Sequence, residues 1–586
     1  MNKLLDKIVA SKLGWLWLII ALLVINLGAS IFHARIDLTK EKRYTLSAAT
    51  GTLLNDLTET VDVDVFLKGD FPSGFRKLAN STQEFLQLLK DRNGSRIRYR
   101  FVSPQEQMPG TNVMYGDSLV NLGAVPINLT VQKEAGQSSN IIFPVALIRY
   151  KGRQALVNLY PGASGRITQE EINSAEALME YQFAKTLDNL IRDRRQIIGY
   201  ALGNGEPTDY RTYDLRQTLS KDYDLRLFDL QSFPAIPDSM GILLIVKPTL
   251  QFSETEKLKI DQYMMRGGKV LCFIDNLIAE QDSLAFKPET IAYDRDLNLT
   301  DLFFRYGLRV NTDLIMDLQC DQIPLVVGGT SSNPQLEFLR WNYYPLFSPG
   351  SSQLVNKIPG YIGSRFANSI DTIQVQGITK SILLASSAHS RTISTPALIS
   401  FNENRNAPED ARFNKNGIPV AVLLEGKFTS LYRNRASQAQ RDSLKAAGVD
   451  FLGEGSAAGK MIVVGDGDIV LNDMLPGEEG NPPTPLPMGW NRYTYREAER
   501  QTESGRYFVP VANRDFLQNS VEYMVNNPAI SATRNKDIIL RLLDSQKVKE
   551  NKATWQFFNI ALPVLLVILA GFVYQYLRKR KFGGRR

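Results

Sequence analysis

Cysteine and histidine are nearly missing from this sequence: Cys272, Cys320, His33 and His389 are the only ones in 586 residues. Four such side chains, dispersed along the chain, cannot assemble a structural zinc centre, and two cysteines exclude a disulfide-framed mini-scaffold. Cys272 lies in "KVLCFID", a buried-strand pattern, so a small core thiol is its expected role; nothing in the sequence pairs it with Cys320. No Cys-x-x-Cys occurs, which removes dithiol redox chemistry. No Gly-x-Ser-x-Gly elbow occurs, and neither cysteine sits in an equivalent elbow, so Ser386, Ser387 and His389 of "SSAHSR" have no hydrolase frame around them. No basic stripe with interleaved aromatics appears outside the extreme C-terminus, and the net charge of +7 is modest, so nucleic acid is not an expected partner.

What is present is globular in composition, with 44% hydrophobic and 22% charged residues, and long enough for two or three domains. Two hydrophobic runs bracket it. Residues 13–32, "LGWLWLIIALLVINLGASIF", carry no charge. At helical rise they span about 30 Å, the thickness of a bilayer core, and they exceed the apolar core of a signal peptide. A retained transmembrane helix is predicted there. A second is predicted over 555–577, "WQFFNIALPVLLVILAGFVYQYL", followed by the basic tail "RKRKFGGRR". Charge counting is nearly silent on orientation, with nine Lys and Arg in the tails and nine in the flanks on the loop side. The dense C-terminal cluster favours cytoplasmic termini, with the residues between the spans outside.

Between the spans the expected fold class is α/β. Residues 33–165 show a helix at Leu46–Leu57 capped by Thr45 or Ser47, then alternating strands "TVDVDVFLKG" and "SRIRYRFVSP" around an amphipathic helix, then "VPINLTV", "IIFPVALIRY" and "QALVNLY". This order suits a small thioredoxin-like layer. Residues 166–194 read as a connecting helix, and 195–526 as a large doubly wound parallel-sheet domain with a long insertion, because strands and helices alternate at the required spacing. Its second helix opens on a capping box, Ser253 and Glu256. Residues 527–554 are the expected juxtamembrane segment, and 1–12 and 578–586 the cytoplasmic tails.

Two strand ends hold the candidate functional residues. "IIGYALGNGEP" places Gly203 and Gly205 as in a dinucleotide fingerprint, but Thr208 stands where the third glycine belongs. "GEGSAAGKMIVVGDGD" fails as a phosphate loop: the glycine spacing is wrong, Met461 replaces the magnesium-binding hydroxyl, and the loop precedes its strand. Asp466 and Asp468, with Asp473, have the oxygen chemistry of a hard-cation site, though another strand-end turn rich in Gly and Asp is the plainer reading. If both strands share one sheet, Asn204 and Glu206 meet Asp466 and Asp468 on one edge, across some 260 residues of sequence. These four are the candidate ligand-binding residues; no catalytic residue, resident metal or cofactor is expected.

The order and spacing of "LTKEKRYTLS", "VDVFLKGDFPSGF", "GNGEP", "NYYPLF", "KSILLASSAHSR", "VVGDGDIVLND" and "WQFFNIALPVLL" resembles the GldG family across nearly the whole chain. These are gliding-associated auxiliary subunits of ABC-type transporters in Bacteroidetes. The resemblance implies a glutamine-amidotransferase-like large domain without its nucleophile, also found in intraflagellar transport proteins. It further implies a periplasmic body, and a non-enzymatic role beside a membrane permease and a separate cytoplasmic ATPase, with room for a homodimer within that complex. No residue secures the "substrate-binding" label given to such subunits. A coupling subunit and a ligand receptor therefore both remain open, the first expecting a flat apolar docking surface and the second an ordered pocket at the strand ends.

Overall fold

The computed structural model describes residues 45–533 with internal gaps, the longest at 161–168, 402–409 and 496–509, together with Lys552–Phe582 and a few residues between 19 and 26. Residues 1–536 form one compact unit and 537–586 a second.

The chain enters its first layer through helix α1, Ala48–Asn55, whose N-cap Ser47 accepts the Thr50 amide on its side chain. Strand β1, Val61–Val65, is followed by helix α2, Ser73–Arg92, and strand β2, Ile97–Phe101. After a separate hairpin of Ile127–Lys133 with Gly136–Ile142 come β3, Val145–Tyr150, and β4, Arg153–Asn158. The sheet order is β2-β1-β3-β4, with β1 and β2 parallel and β3 antiparallel to both β1 and β4. Helix α3, Gln169–Ile191, closes this layer, burying Ile172, Met179, Phe183 and Leu187 with Val63, Leu78 and Ile148.

The second sheet begins with β5, Ile197–Leu202. Helix α4, Tyr213–Ser220, strands β6, Asp224–Asp229, and β7, Met240–Val246, helix α5, Glu254–Met265, and strand β8, Lys269–Phe273, follow in chain order. The long middle section contributes β9, Cys320–Thr330, β10, Asn333–Pro349, β11, Ile378–Ala385, and β12, Pro419–Gly426; β13, Gly459–Val464, then returns to the centre, and helix α6, Asn513–Val525, closes the layer. Strands β6-β5-β7-β8-β13 are parallel and stand in chain order 2-1-3-4-5. Beyond β13 the sheet continues antiparallel through β12, β11, β10 and β9. The expected doubly wound parallel sheet is therefore only half of a mixed ten-stranded sheet. Among the described residues the connections from β9 through β12 hold no α-helix, which antiparallel neighbours do not need, while a helix of Gln438–Ala446 lies between β12 and β13.

Alternation along the central strands feeds two cores. Leu243, Ile245, Val270 and Cys272 pack on one face with Leu258, Tyr263 and Met264 of α5. Ile242, Leu244, Leu271 and Phe273 pack on the other with Leu215 and Leu219 of α4 and Phe516 and Leu517 of α6. Cys272 and Cys320 are both buried free thiols, so no disulfide links them.

Helix α7, Lys552–Phe582, contains Pro563, and its stretch Gln556–Arg580 is long and apolar enough to cross a membrane. The predicted first span, 13–32, lies outside the described residues except for helical turns at Ile19, Ile20, Leu22, Leu23 and Asn26.

Candidate functional site

Parallel strands share direction, so β5, β7, β8 and β13 end on one edge of the sheet, and the residues that follow them build two polar clusters there. After β5 the chain turns through Gly203 and Gly205, with φ of 118° and 78°. A Cβ at Gly205 would overlap Thr249 Oγ1, so only glycine lets this turn lie against the loop after β7. The loop is fastened to it: Thr249 N and Leu250 N donate to the Asn204 carbonyl at 2.8 and 2.9 Å. Within the turn, Asn204 N donates to Glu206 Oε2 at 2.9 Å. Burial pushes the Glu206 carboxyl up to about 7, and the Glu256 charge adds to the push against the amides that hold it down.

The second cluster lies at the ends of β7, β8 and β13. Lys247, in left-handed backbone at φ 44°, sends Nζ to Asp275 Oδ2 at 3.1 Å and Asp468 Oδ1 at 2.7 Å. Carboxylate oxygens of Asp275, Asp466 and Asp468 lie within 4.8 Å of one another. Gly467 makes this approach sterically feasible, because a Cβ there would come within 2.6 Å of Lys247 Cβ. Asp466 accepts from Ser364 Oγ, Arg365 N and Asp468 N. Burial, then the charges of Asp468 and Asp275, still holds its carboxyl well above the ordinary range. Burial also pushes on Asp468, but the Lys247 ammonium and the Arg365 guanidinium outweigh it and hold that carboxyl below the ordinary range. Alongside, Arg365 Nη2 meets Asp473 Oδ2 at 3.0 Å, Arg492 Nε meets Asp473 Oδ1 at 3.1 Å, and the Arg365 guanidinium stacks 5.3 Å over the Tyr344 ring.

The structure thus joins Asn204 to Glu206 and Asp466 to Asp468, but does not bring the two pairs together. Strands β7 and β8 stand between them, three strand spacings or about 14 Å. Asp473 joins the arginines rather than the other two aspartates. Sequence reasoning missed Lys247, Asp275, Ser364 and Arg365, which come from separate strand ends. The Gly-Asp-Gly-Asp pattern signalled only the aspartate pair. The Ser386–His389 segment is a turn: Ser387 donates its amide and hydroxyl to Asp317 and accepts the His389 amide, while His389 itself is exposed. A shallow cavity of about 390 Å³ follows the first turn, lined by Asp209, Tyr210, Tyr213 and Arg216 rather than by either cluster.

Comparison with known proteins places this architecture. A family model described as an ABC-type uncharacterized transport system, auxiliary part, matches residues 195–519, and a domain of unknown function matches residues 40–149. An uncharacterized protein of Borreliella burgdorferi is 22% identical over 450 residues, covering 74% of this chain and 80% of the relative. Among solved structures, the N-terminal domain of mmIFT52 aligns over 56% of this chain and 98% of its own length, at 10% identity and TM-score 0.30. A ThuA-like protein from Bacteroides uniformis aligns over 57% of this chain and 93% of its own length, at 8% identity and TM-score 0.23. Both scores are below the level at which a shared fold follows. The sequence match over the second sheet is the decisive one: the chain belongs to the ABC-type uncharacterized transport system family and is an auxiliary component of such a transporter.

Proposed function

We propose that the chain is a non-catalytic, membrane-anchored subunit that couples the permease and ATPase of an ABC-type transporter to partners outside the cytoplasm, in the service of gliding motility. One observation carries the non-catalytic part. At the ends of the central strands, where a doubly wound sheet receives its ligand, Lys247 already sits between Asp275 and Asp468, and Arg365 and Arg492 already neutralise Asp473. In this cluster the chain's own cations already pair with the carboxylates that could otherwise serve a substrate or metal. The 2-1-3-4-5 strand order supports the glutamine-amidotransferase-like reading of the large domain, and the β2-β1-β3-β4 order with β3 reversed supports the thioredoxin-like reading of the small one. The apolar helix over Gln556–Arg580 supports membrane anchoring. The two apolar runs and the basic C-terminal cluster of the sequence favour cytoplasmic termini and a periplasmic body.

The full chain, tagged at its C-terminus and extracted from native membranes in mild detergent, should carry a permease and an ATPase with it. Its deletion should stop gliding. Protease added to spheroplasts should digest the body and leave the tagged tail intact. Purification without transporter subunits, or unimpaired gliding, refutes the coupling role; a digested tail with a protected body reverses the topology.

A ligand receptor is the second reading, favoured by the other strand-end cluster, where charges are not matched.

A further inference from the structure

We propose that Asn204, Glu206 and Glu256 form a site for a small, hard, oxygen-seeking cation of the calcium type, placed where the parallel sheet reverses its winding. The three side chains are 1%, 7% and 3% exposed. Each keeps one oxygen without a hydrogen-bond donor: Asn204 Oδ1, Glu206 Oε1 and Glu256 Oε1. The donors nearby are all spent on the other oxygens. Glu206 Oε2 takes the Asn204 amide. Glu256 Oε2 takes Ser253 N and Ser253 Oγ, both at 2.7 Å, and Asn204 Nδ2 at 3.3 Å.

Buried acceptors are ordinarily matched, because an unmatched one loses its hydration without return, at about 1–3 kcal/mol each. Three in one place, two of them carboxylates, is a concentrated deficit of positive charge. The contrast with the neighbouring cluster is direct. There Lys247 supplies the cation. Here, among the described residues, neither glutamate has an ion-pair partner, and the nearby Lys259 spends its ammonium on the Leu230 carbonyl at 2.6 Å. An amide carbonyl and two carboxylates make an all-oxygen set, which suits calcium or a similar hard cation with water completing the shell, and is a poor match for softer metals.

The location agrees. In a 2-1-3-4-5 sheet the ligand crevice opens between the first and third strands, here β5 and β7. Asn204 and Glu206 follow β5, and Glu256 opens the helix that follows β7. Gly205, between the first two, is exposed, so the turn itself lies at the surface. A proton shared between the glutamates is the rival occupant, and the raised carboxyl of Glu206 is compatible with it. One proton joins at most two of the oxygens and leaves a third unmatched, whereas a cation with water in its shell can serve all three. The site does not depend on the coupling role and stands if that role fails.

Terbium(III), a luminescent stand-in for calcium, tests it on the full chain in detergent. Tyr200, whose hydroxyl donates to the Pro207 carbonyl at 2.6 Å and feels the Glu206 charge, is the expected sensitiser. We expect tyrosine-sensitised terbium emission that calcium displaces, and calcium should raise the unfolding temperature. Loss of groups that merely orient a metal ligand costs ~10–100-fold in affinity, so Glu206→Gln and Glu256→Gln should each weaken binding by at least about tenfold. Both substitutions keep shape, and glutamine preserves the capping box, so folding survives. Asp468→Asn should leave the emission unchanged. Absence of emission from the wild-type chain, emission indifferent to both glutamine variants, or emission lost only in Asp468→Asn overturns the proposal. So does a chain stabilised by acid but not by calcium, which assigns the site to a proton.

Discussion

Lys247→Met separates a structural cluster from a decorative one. Lys247 is 4% exposed, and its ammonium holds Asp275 and Asp468 at 3.1 and 2.7 Å, with Asp466 inside the same carboxylate group. Methionine keeps much of the stem volume and removes only the charge. Breaking a buried ion pair from one side leaves an uncompensated charge and costs about 3–5 kcal/mol. A double variant, Lys247→Met with Asp468→Asn, removes one stranded carboxylate and should recover about 1–3 kcal/mol of that loss, the size of coupling seen between contacting residues. The deficit carries a pH signature. Without the ammonium, burial pushes the Asp468 carboxyl up with only the arginines left to oppose it, so its folded pKa is raised relative to the wild type. Relative to the wild type, a carboxyl raised in the folded state leaves stability unchanged at low pH and lowers it as pH rises. The deficit should therefore be small near pH 4 and grow towards pH 7. Urea unfolding of the full chain in detergent, followed by tryptophan fluorescence across that range, reads it. A variant as stable as the wild type at neutral pH, or a deficit that grows on acidification, refutes the reasoning.

Asp261 is fully buried in α5 and accepts Ser430 Oγ at 2.6 Å, Leu431 N at 2.8 Å, Tyr306 Oη at 2.9 Å and Gln262 Nε2 at 3.0 Å; Asp261→Ala strands these donors and should cost about 3 kcal/mol or more in the same unfolding assay. Glu206 has a folded carboxyl near 7, above its ordinary 4.5, so without divalent cation its contribution is full below the ordinary value and lost as pH rises through 7. The fall is about 3 kcal/mol, and Glu206→Gln should flatten that part of the stability profile. Cys272→Ala should lower stability by ~1 kcal/mol through a small core cavity, while Cys320→Ala and His389→Ala leave transporter assembly and motility unchanged; a motility defect in His389→Ala alone would reopen the question of chemistry at that turn.

Local rules were readable where local forces decide. Ser253 and Glu256 announced a capping box, and it forms around the start of α5. Gly203 and Gly205 announced a sharp turn, and both take positive φ. Neighbours in the sheet were not readable. "GIPVAVLLEG" reads as a buried strand, but a continuous apolar run looks the same with parallel or antiparallel partners, and β12 proved antiparallel to β13. The long β9–β10 hairpin was hidden because Pro324, Gly328, Gly329 and Pro345 break its alternation, and its pairing shifts register at Cys320/Gln322 and Val326/Gly328. The site divided in the same way. Asp466 and Asp468 are two residues apart and visible, whereas Lys247 and Asp275 reach them only through strand order, some 200 residues away in the chain.

The coupling role proposed above would need a contact between the first layer and the second, and α3 makes one. One flank of the helix is part of the first layer's core, through Ile172, Ala175, Met179, Phe183 and Leu187. From another flank Tyr181 and Lys185 reach α6, both bonding to Glu522, and Lys185 also meets Asp222, in the turn before β6, at 2.8 Å. Burial alone would discharge the Lys185 ammonium, but Glu522 and Asp222 hold its pKa well above the ordinary value, so the contact is charged and directional. Helix α6 in turn packs Phe516 and Leu517 against the same face of the large sheet as Phe273 and Val464, which lead to the strand ends that carry Lys247, Asp275 and Asp466. A rigid helix anchored by apolar packing at one layer and by a buried ion pair at the other transmits displacement better than a flexible tether. The proposed coupling role would use this contact, since α3 belongs to the first layer's core and meets the second layer through Tyr181 and Lys185.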